Sequence, residues 1–224
     1  MDCSEAERTR TIAKSSRHKQ MSLDSACPTG DAGECGNYLE RGENGDAFHH
    51  AEVTYLPLAA AQRGMWVGEK IGPADAIYNL AEYAEIRGDI NEALFISALG
   101  QVAAEAESTR VQIVETQDGP RQQISPYYRG DFPLVDFSDD PEPHVSAQVW
   151  MHKEFSRPLD LAADLLWRCA LIKLGPQHYY WYHRVHHVVL DGYGGGLLTR
   201  RLADIYNALV EGVAVPPHSF LPLA

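Results

Sequence analysis

The sequence predicts an α/β (α+β) fold, a mixed β-sheet flanked by helices, and three observations carry that prediction. Leu198, Leu202, Ile205 and Leu209 recur at steps of four, three and four, the apolar stripe of an amphipathic helix that Gly212 ends. Two runs rich in aromatic and branched residues, "WRCALIKLG" and "HYYWYHRVHH", flank Gly175-Pro176-Gln177 and read as strands joined by a tight turn. Strand-like and helix-like segments then alternate along the rest of the chain, the pattern of mixed layers.

Taken in order, the first 52 residues are rich in Ser, Gly, Asp, Glu and Arg without apolar periodicity, and are expected to form a disordered leader. Order is expected from residue 53 to residue 224. Leu56, Pro57 and Leu58 run into an alanine-rich, helix-favouring stretch with Met65 and Trp66. "AIYNLAEYAEIRG" reads as a strand closed by Gly88. The next segment reads as a helix with Asp89 as N-cap, Glu92 completing a capping box, and Leu94, Ala98, Leu99 and Val102 as its stripe. "RVQIVETQDGPRQQIS" is two short strands about Asp118-Gly119-Pro120. A proline-punctuated loop follows, then a helix from Pro143 to Phe155 that Pro158 ends.

Composition narrows the function classes. With 45% hydrophobic residues the chain can bury a real core, and its net charge of −12 disfavours nucleic acid or an anionic membrane as a partner. No apolar run is long enough to span a bilayer, and the opening residues lack a signal-peptide core, so a cytoplasmic location is expected. Cys3, Cys27, Cys35 and Cys169 have no metal-binding or disulfide spacing.

The stretch of most chemical interest is "YYWYHRVHHVVLDGYGGG", Tyr179–Gly196, which falls at a strand-to-helix junction. Three readings compete. A metal site is short of ligands: His186 and His187 are adjacent on a strand and point to opposite faces, and beyond His187 and Asp191 no third ligand is apparent. A packed core with incidental histidines is the bland reading. In the third, one histidine faces a cleft as a base, Asp191 ties down the loop, and the side-chain-free Gly192 offers its N–H to a developing oxyanion. No serine or cysteine stands out as a nucleophile, so the chemistry would be direct attack of a bound amine or alcohol on an activated acyl group. The four aromatics Tyr179–Tyr182 are expected to alternate, half of them inward. Arg200 and Arg201 are expected on the polar face of the last helix, and His49, His50, His144, His152 and His178 on the surface or in loops.

"HHVVLDG", His186–Gly192, resembles the HHxxxDG signature of nonribosomal peptide synthetase condensation domains, in the chloramphenicol-acetyltransferase-like superfamily. Its surroundings resemble other motifs of that family in the family's order. "LPLAAAQRGMW" keeps Ala61, Gln62 and Trp66 but has Ala59 for serine and Gly64 for arginine; "ESTRVQI" keeps Glu107 and Arg110, while Thr109 and Ile113 differ. "FSRPLDLAADLLWRCALIKL" keeps Phe155, Asp160, Leu161 and Arg168, with Leu165 in place of proline. After the signature, Tyr193-Gly194 replaces the commoner Trp-Ser. The resemblance spans about residues 54–224 and is nearest to enterobactin-type siderophore synthetases.

The resemblance implies the N-terminal lobe of a two-lobed condensation domain, with the C-terminal lobe absent. It implies amide formation between acyl and aminoacyl thioesters on the 4′-phosphopantetheine arms of peptidyl or aryl carrier proteins, with adenylation and carrier domains of the same synthetase as partners. No cofactor is bound by the domain itself. His187 takes the catalytic position as base or as positioner of the amine; His186 and Asp191 are structural, Asp191 through an arginine, and Gly192 lies beside the thioester. This chain by itself is then expected to be weak or inactive. Two alternatives stand beside this reading: an acyl-CoA-dependent small-molecule acyltransferase of the same superfamily, and a non-catalytic carrier-protein interaction module.

Overall fold

The structure is a computed structural model that describes residues 53–72 and 75–223. The expected leader, His49 and His50, and the cysteines at 3, 27 and 35 lie outside the described residues.

A four-stranded sheet is the centre of the fold. It contains β2 (Asn79–Arg87), β5 (Leu134–Asp136), β6 (Trp167–Gly175) and β7 (His178–His186) in the order β2-β7-β6-β5. β7 is antiparallel to both its neighbours, and β5 runs parallel to β6. A three-stranded antiparallel sheet, β1-β4-β3, is made of β1 (Thr54–Pro57), β3 (Val111–Thr116) and β4 (Gly119–Ile124). The helices are α1 (Ala60–Ile71), α2 (Glu92–Glu105), α3 (Pro143–Phe155) and α4 (Gly192–Glu211). The mixed α/β class expected from the sequence is the observed one.

Helices cover both faces of the four-stranded sheet. Phe95, Leu99 and Val102 of α2 and Leu202 and Ile205 of α4 pack on one face against Ile86 and Trp181. Ala147 and Met151 of α3 pack on the other against Ile172, Tyr180 and Tyr182. The four aromatics alternate as expected, Tyr179 and Trp181 towards α2 and α4 and Tyr180 and Tyr182 towards α3, but because β7 is central and both faces are covered, all four are buried rather than half of them.

Four further expectations are corrected. The N-cap of α2 is Asn91, whose side chain accepts from Leu94 N at 3.1 Å, while Asp89 accepts from Gln177 at 2.8 Å. Glu92 does not close a capping box; it accepts from the Tyr179 hydroxyl at 2.9 Å and faces Lys173 Nζ at 3.0 Å. Residues 134–136, read as loop, form the edge strand β5. Arg201 is not on a polar face: it is buried and forms a two-bond ion pair with Glu105 of α2, at 2.6 and 2.8 Å. Arg200 is exposed as expected. His144 and His152 are exposed on α3, whereas His178 opens β7 half-buried with Glu85 at 2.6 Å.

Candidate functional site

β7 delivers the two histidines to the end of the sheet, and a turn over residues 187–189 carries the chain to α4. His186 is the last strand residue, 2% exposed, with its backbone N–H held by Leu166 O at 2.8 Å. Its Nδ1 lies 3.2 Å from Val188 N. A backbone N–H can only donate, so Nδ1 is the acceptor and the ring proton sits on Nε2. That proton faces Glu69 Oε1 of α1 at 3.3 Å. Burial pushes the His186 pKa down, against the opposing pull of Glu69. A neutral, doubly bonded, enclosed imidazole is a structural element.

His187 is different. Its N–H donates to Tyr78 O at 2.8 Å, and its ring is half-buried. Nδ1 is enclosed without a hydrogen-bond partner among the described residues, which leaves Nε2 as the ring nitrogen able to meet an outside group. The ring is not sealed in the interior.

Asp191 is the N-cap of α4, its Oδ1 accepting from Gly194 N at 2.8 Å. Among the described residues no arginine lies within ion-pairing distance of it, so the arginine link implied by the resemblance is not made here. Gly192 is exposed as the first residue of α4, where helix geometry leaves the N–H without an intrahelical acceptor. A Cβ at Gly194 would come within 2.6 Å of Leu190 Cδ1 and make that side chain shift, whereas a Cβ at Gly192 or Gly196 would meet nothing within 4 Å.

The motif residues upstream hold this turn. Gln62 Nε2 donates to Val188 O and to Gln122 Oε1, both at 2.9 Å, and its Oε1 accepts from Ala59 N at 2.9 Å. One amide thus ties α1, β4 and the turn after His187 together. Arg110 donates to Ser125 O and Pro126 O at 2.6 and 2.9 Å. Asn79 Nδ2 binds Phe155 O and Arg157 O at 2.8 and 2.9 Å, fixing β2 to the end of α3. Glu69 and Asn79 were missed from sequence, because neither stands in a recognisable spacing. A groove of about 620 Å³ runs between α1 and the Pro158–Asp164 segment, with Trp66, Glu69 and Leu161 on its walls; His187 does not line it.

Fold, turn and signature together are those of a condensation domain lobe. The Condensation domain family matches residues 52–222, and the chain belongs to the condensation-domain family of nonribosomal peptide synthetases. It is 41% identical over 171 residues to an isonitrile lipopeptide synthase of Streptomyces coeruleorubidus, covering 75% of this chain and 12% of that protein. It is 40% identical to a dimodular nonribosomal peptide synthase of Bacillus subtilis (strain 168), covering 73% of this chain and 7% of that one. The enterobactin-type likeness is present too, at 31% identity to enterobactin synthase component F of Escherichia coli O157:H7, over 76% of this chain and 13% of the relative. Among solved structures, the starter condensation domain of rhizomide synthetase RzmA superposes with a TM-score of 0.71 at 36% identity, over 75% of this chain and 41% of that one. The chain therefore spans less than half of the solved domain and about an eighth or less of these synthases. Among the described residues no helix is long and apolar enough to cross a membrane.

Proposed function

We propose that this chain contributes one lobe of a condensation active site, in which His187 serves the attack of a carrier-bound amine on an acyl thioester. The amine nitrogen adds to the thioester carbonyl, the C–S bond breaks, and the phosphopantetheine thiolate leaves. The proton lost by the amine passes through His187 Nε2 to the leaving sulfur. The observation that supports this most is the contrast between neighbours: His186 is enclosed and bonded at both nitrogens, while His187 keeps Nε2 unengaged beside the first turn of α4. The Gly192 N–H is suited to the developing oxyanion. His186, Asp191 and Gln62 position this group without touching substrate.

The donor and acceptor arrive on peptidyl or aryl carrier proteins in this reading, and the rest of the domain supplies the opposite wall. These residues alone are then weak catalysts. A second reading, an acyl-CoA donor, is favoured by one observation: a point mutant of the RzmA starter condensation domain, 36% identical, has been solved in complex with C8-CoA. Mass spectrometry of products formed from acyl-carrier and acyl-CoA donors, with the complementary lobe supplied, separates the two. His187→Ala is expected to lower the rate about 10²–10⁴-fold while loaded carrier protein still binds. An unchanged rate refutes the proposal, and binding without product from either donor supports a non-catalytic interaction module instead.

A further inference from the structure

Arg184 and Arg168 are directly opposite partners on β7 and β6, side by side on the face that α3 covers. Directly opposed like charges destabilise a strand pair, and here one of them is 1% exposed. Arg184 carries five N–H donors and uses one, to Glu154 O at 2.8 Å. No carboxylate among the described residues comes within 4.0 Å of it. Arg168 reaches Asp131 at 3.2 Å, but Asp131 is 77% exposed and well screened. A buried guanidinium without a contacting counter-charge is costly.

Both arginines line a cavity of about 50 Å³, with Trp150, Glu154 and Tyr182 also on its walls. The Tyr182 hydroxyl is already committed to Met151 O at 3.3 Å, and the Glu154 carboxylate compensates Arg184 only from a distance. About 10–15 Å³ of such space holds one water, so this cavity has room for a few waters or one small ion and is too small for an acyl chain or a pantetheine arm. Planar guanidinium forks match the oxygens of tetrahedral oxyanions.

We propose that the Arg168–Arg184 cavity binds a small inorganic oxyanion of phosphate size, which ties β6, β7 and α3 together beneath the strand that ends at His186. The inference is independent of the condensation chemistry and survives if that reading fails.

The test is thermal unfolding of the chain in millimolar inorganic phosphate or sulfate, with chloride adjusting every sample to one ionic strength. The expected result is a saturable rise in Tm, about 5–10 °C when the anion stands at a hundred times its Kd. Such saturation in a chain of net charge −12 identifies a local site, since the whole molecule repels anions. Arg184→Gln and Arg168→Gln are expected to abolish the rise, and Arg63→Gln, on exposed α1, to keep it. Should Arg184→Gln not fold, the half-exposed Arg168→Gln and calorimetric titration of the parent chain with phosphate decide. No saturable shift, an equal shift in the Arg168 variant, or an equal effect of chloride overturns the proposal.

Discussion

Replacing Arg201 with methionine should remove one of the main ties between α2 and α4, and its cost can be worked from the structure. The guanidinium donates to both oxygens of Glu105, at 2.6 and 2.8 Å, and to Pro216 O at 2.7 Å. The two side chains are 8% and 13% exposed, so solvent screens the pair little. Removing one member of a buried pair costs about 3–5 kcal/mol, because the other is left as an uncompensated charge. Here Gln101 Nε2 still donates to Glu105 Oε1 at 2.8 Å, which places the expectation near the lower end, about 3 kcal/mol. For a domain of this size that is a fall in Tm of about 6–12 °C.

Calorimetry and urea titration measure it, and the double variant Glu105→Leu/Arg201→Met supplies the control. Replacing both charges with apolar groups of similar size should recover at least half of the loss. The acid limb gives a second signature. Burial alone would raise the Glu105 pKa, but its bonds to Arg201 and Gln101 outweigh burial and hold the carboxyl below the usual range. A carboxyl depressed in the folded state contributes stability that is present above its unfolded pKa, about 4.3, and is lost as pH falls through the folded value. Arg201→Met should therefore flatten the loss of stability below about pH 4.3. A single-variant cost under about 1 kcal/mol, or a double variant whose losses simply add, would refute the reasoning.

Three other outcomes follow from the same structure. Asp191→Ala removes the cap on Gly194 N and should cost about 1 kcal/mol, with faster hydrogen exchange confined to the first turns of α4; Asp191→Asn should restore most of it. Gln62→Leu leaves the Val188 carbonyl and Gln122 Oε1 without a donor, at about 1–3 kcal/mol, and should lower kcat/KM in the reconstituted domain while His187 is intact. Burial pushes the pKa values of His183 and His186 down against the pull of Glu82 and Glu69, so folding favours their neutral forms. The stability they contribute is present above the unfolded histidine pKa of about 6.5 and lost as pH falls below it, towards the folded values. The urea midpoint should fall between about pH 7.5 and pH 5.5, and less so in His183→Gln; a flat or rising midpoint contradicts the assignment.

Legibility from sequence followed the range of the interactions involved. The α4 stripe, the β3–β4 turn and the α3 bounds are local, and each was readable from spacing or from Gly and Pro chemistry. The edge strand β5 was not, because three residues just after Pro133 carry no period and are defined only by pairing with β6. Arg201 misled because an arginine beside another arginine on an amphipathic helix reads as surface; its partner Glu105 lies 96 residues away. The alternation of the aromatic run was legible, but burial of both its faces was not, since that depends on helices whose docking the strand does not encode. The HHVVLDG turn was legible as a motif, but the role of Gln62 within it was not, as its acceptor Val188 is 126 residues distant.

Under the proposed function, the paired histidines divide labour in a way that strand geometry imposes. Neighbouring residues at the end of a strand face opposite ways, so the chain cannot orient the His187 ring through the strand alone. His186 compensates by gripping its own turn: the Val188 N–H enters its Nδ1, and Glu69 of α1 fixes the opposite nitrogen. Gln62, also of α1, takes the Val188 carbonyl, so both backbone polar groups of Val188 are held by side chains. The position between them and α4, His187, is thus bounded by fixed backbone while its ring remains half-open. A lone histidine at 187 on a free turn would have the same chemistry without the same placement, and misplacement of a reacting group by about 1 Å costs about a hundredfold in rate. His186→Ala should accordingly weaken condensation by loosening His187, and His186→Gln, with an acceptor for Val188 N–H and a donor for Glu69, should restore more activity than stability alone would predict.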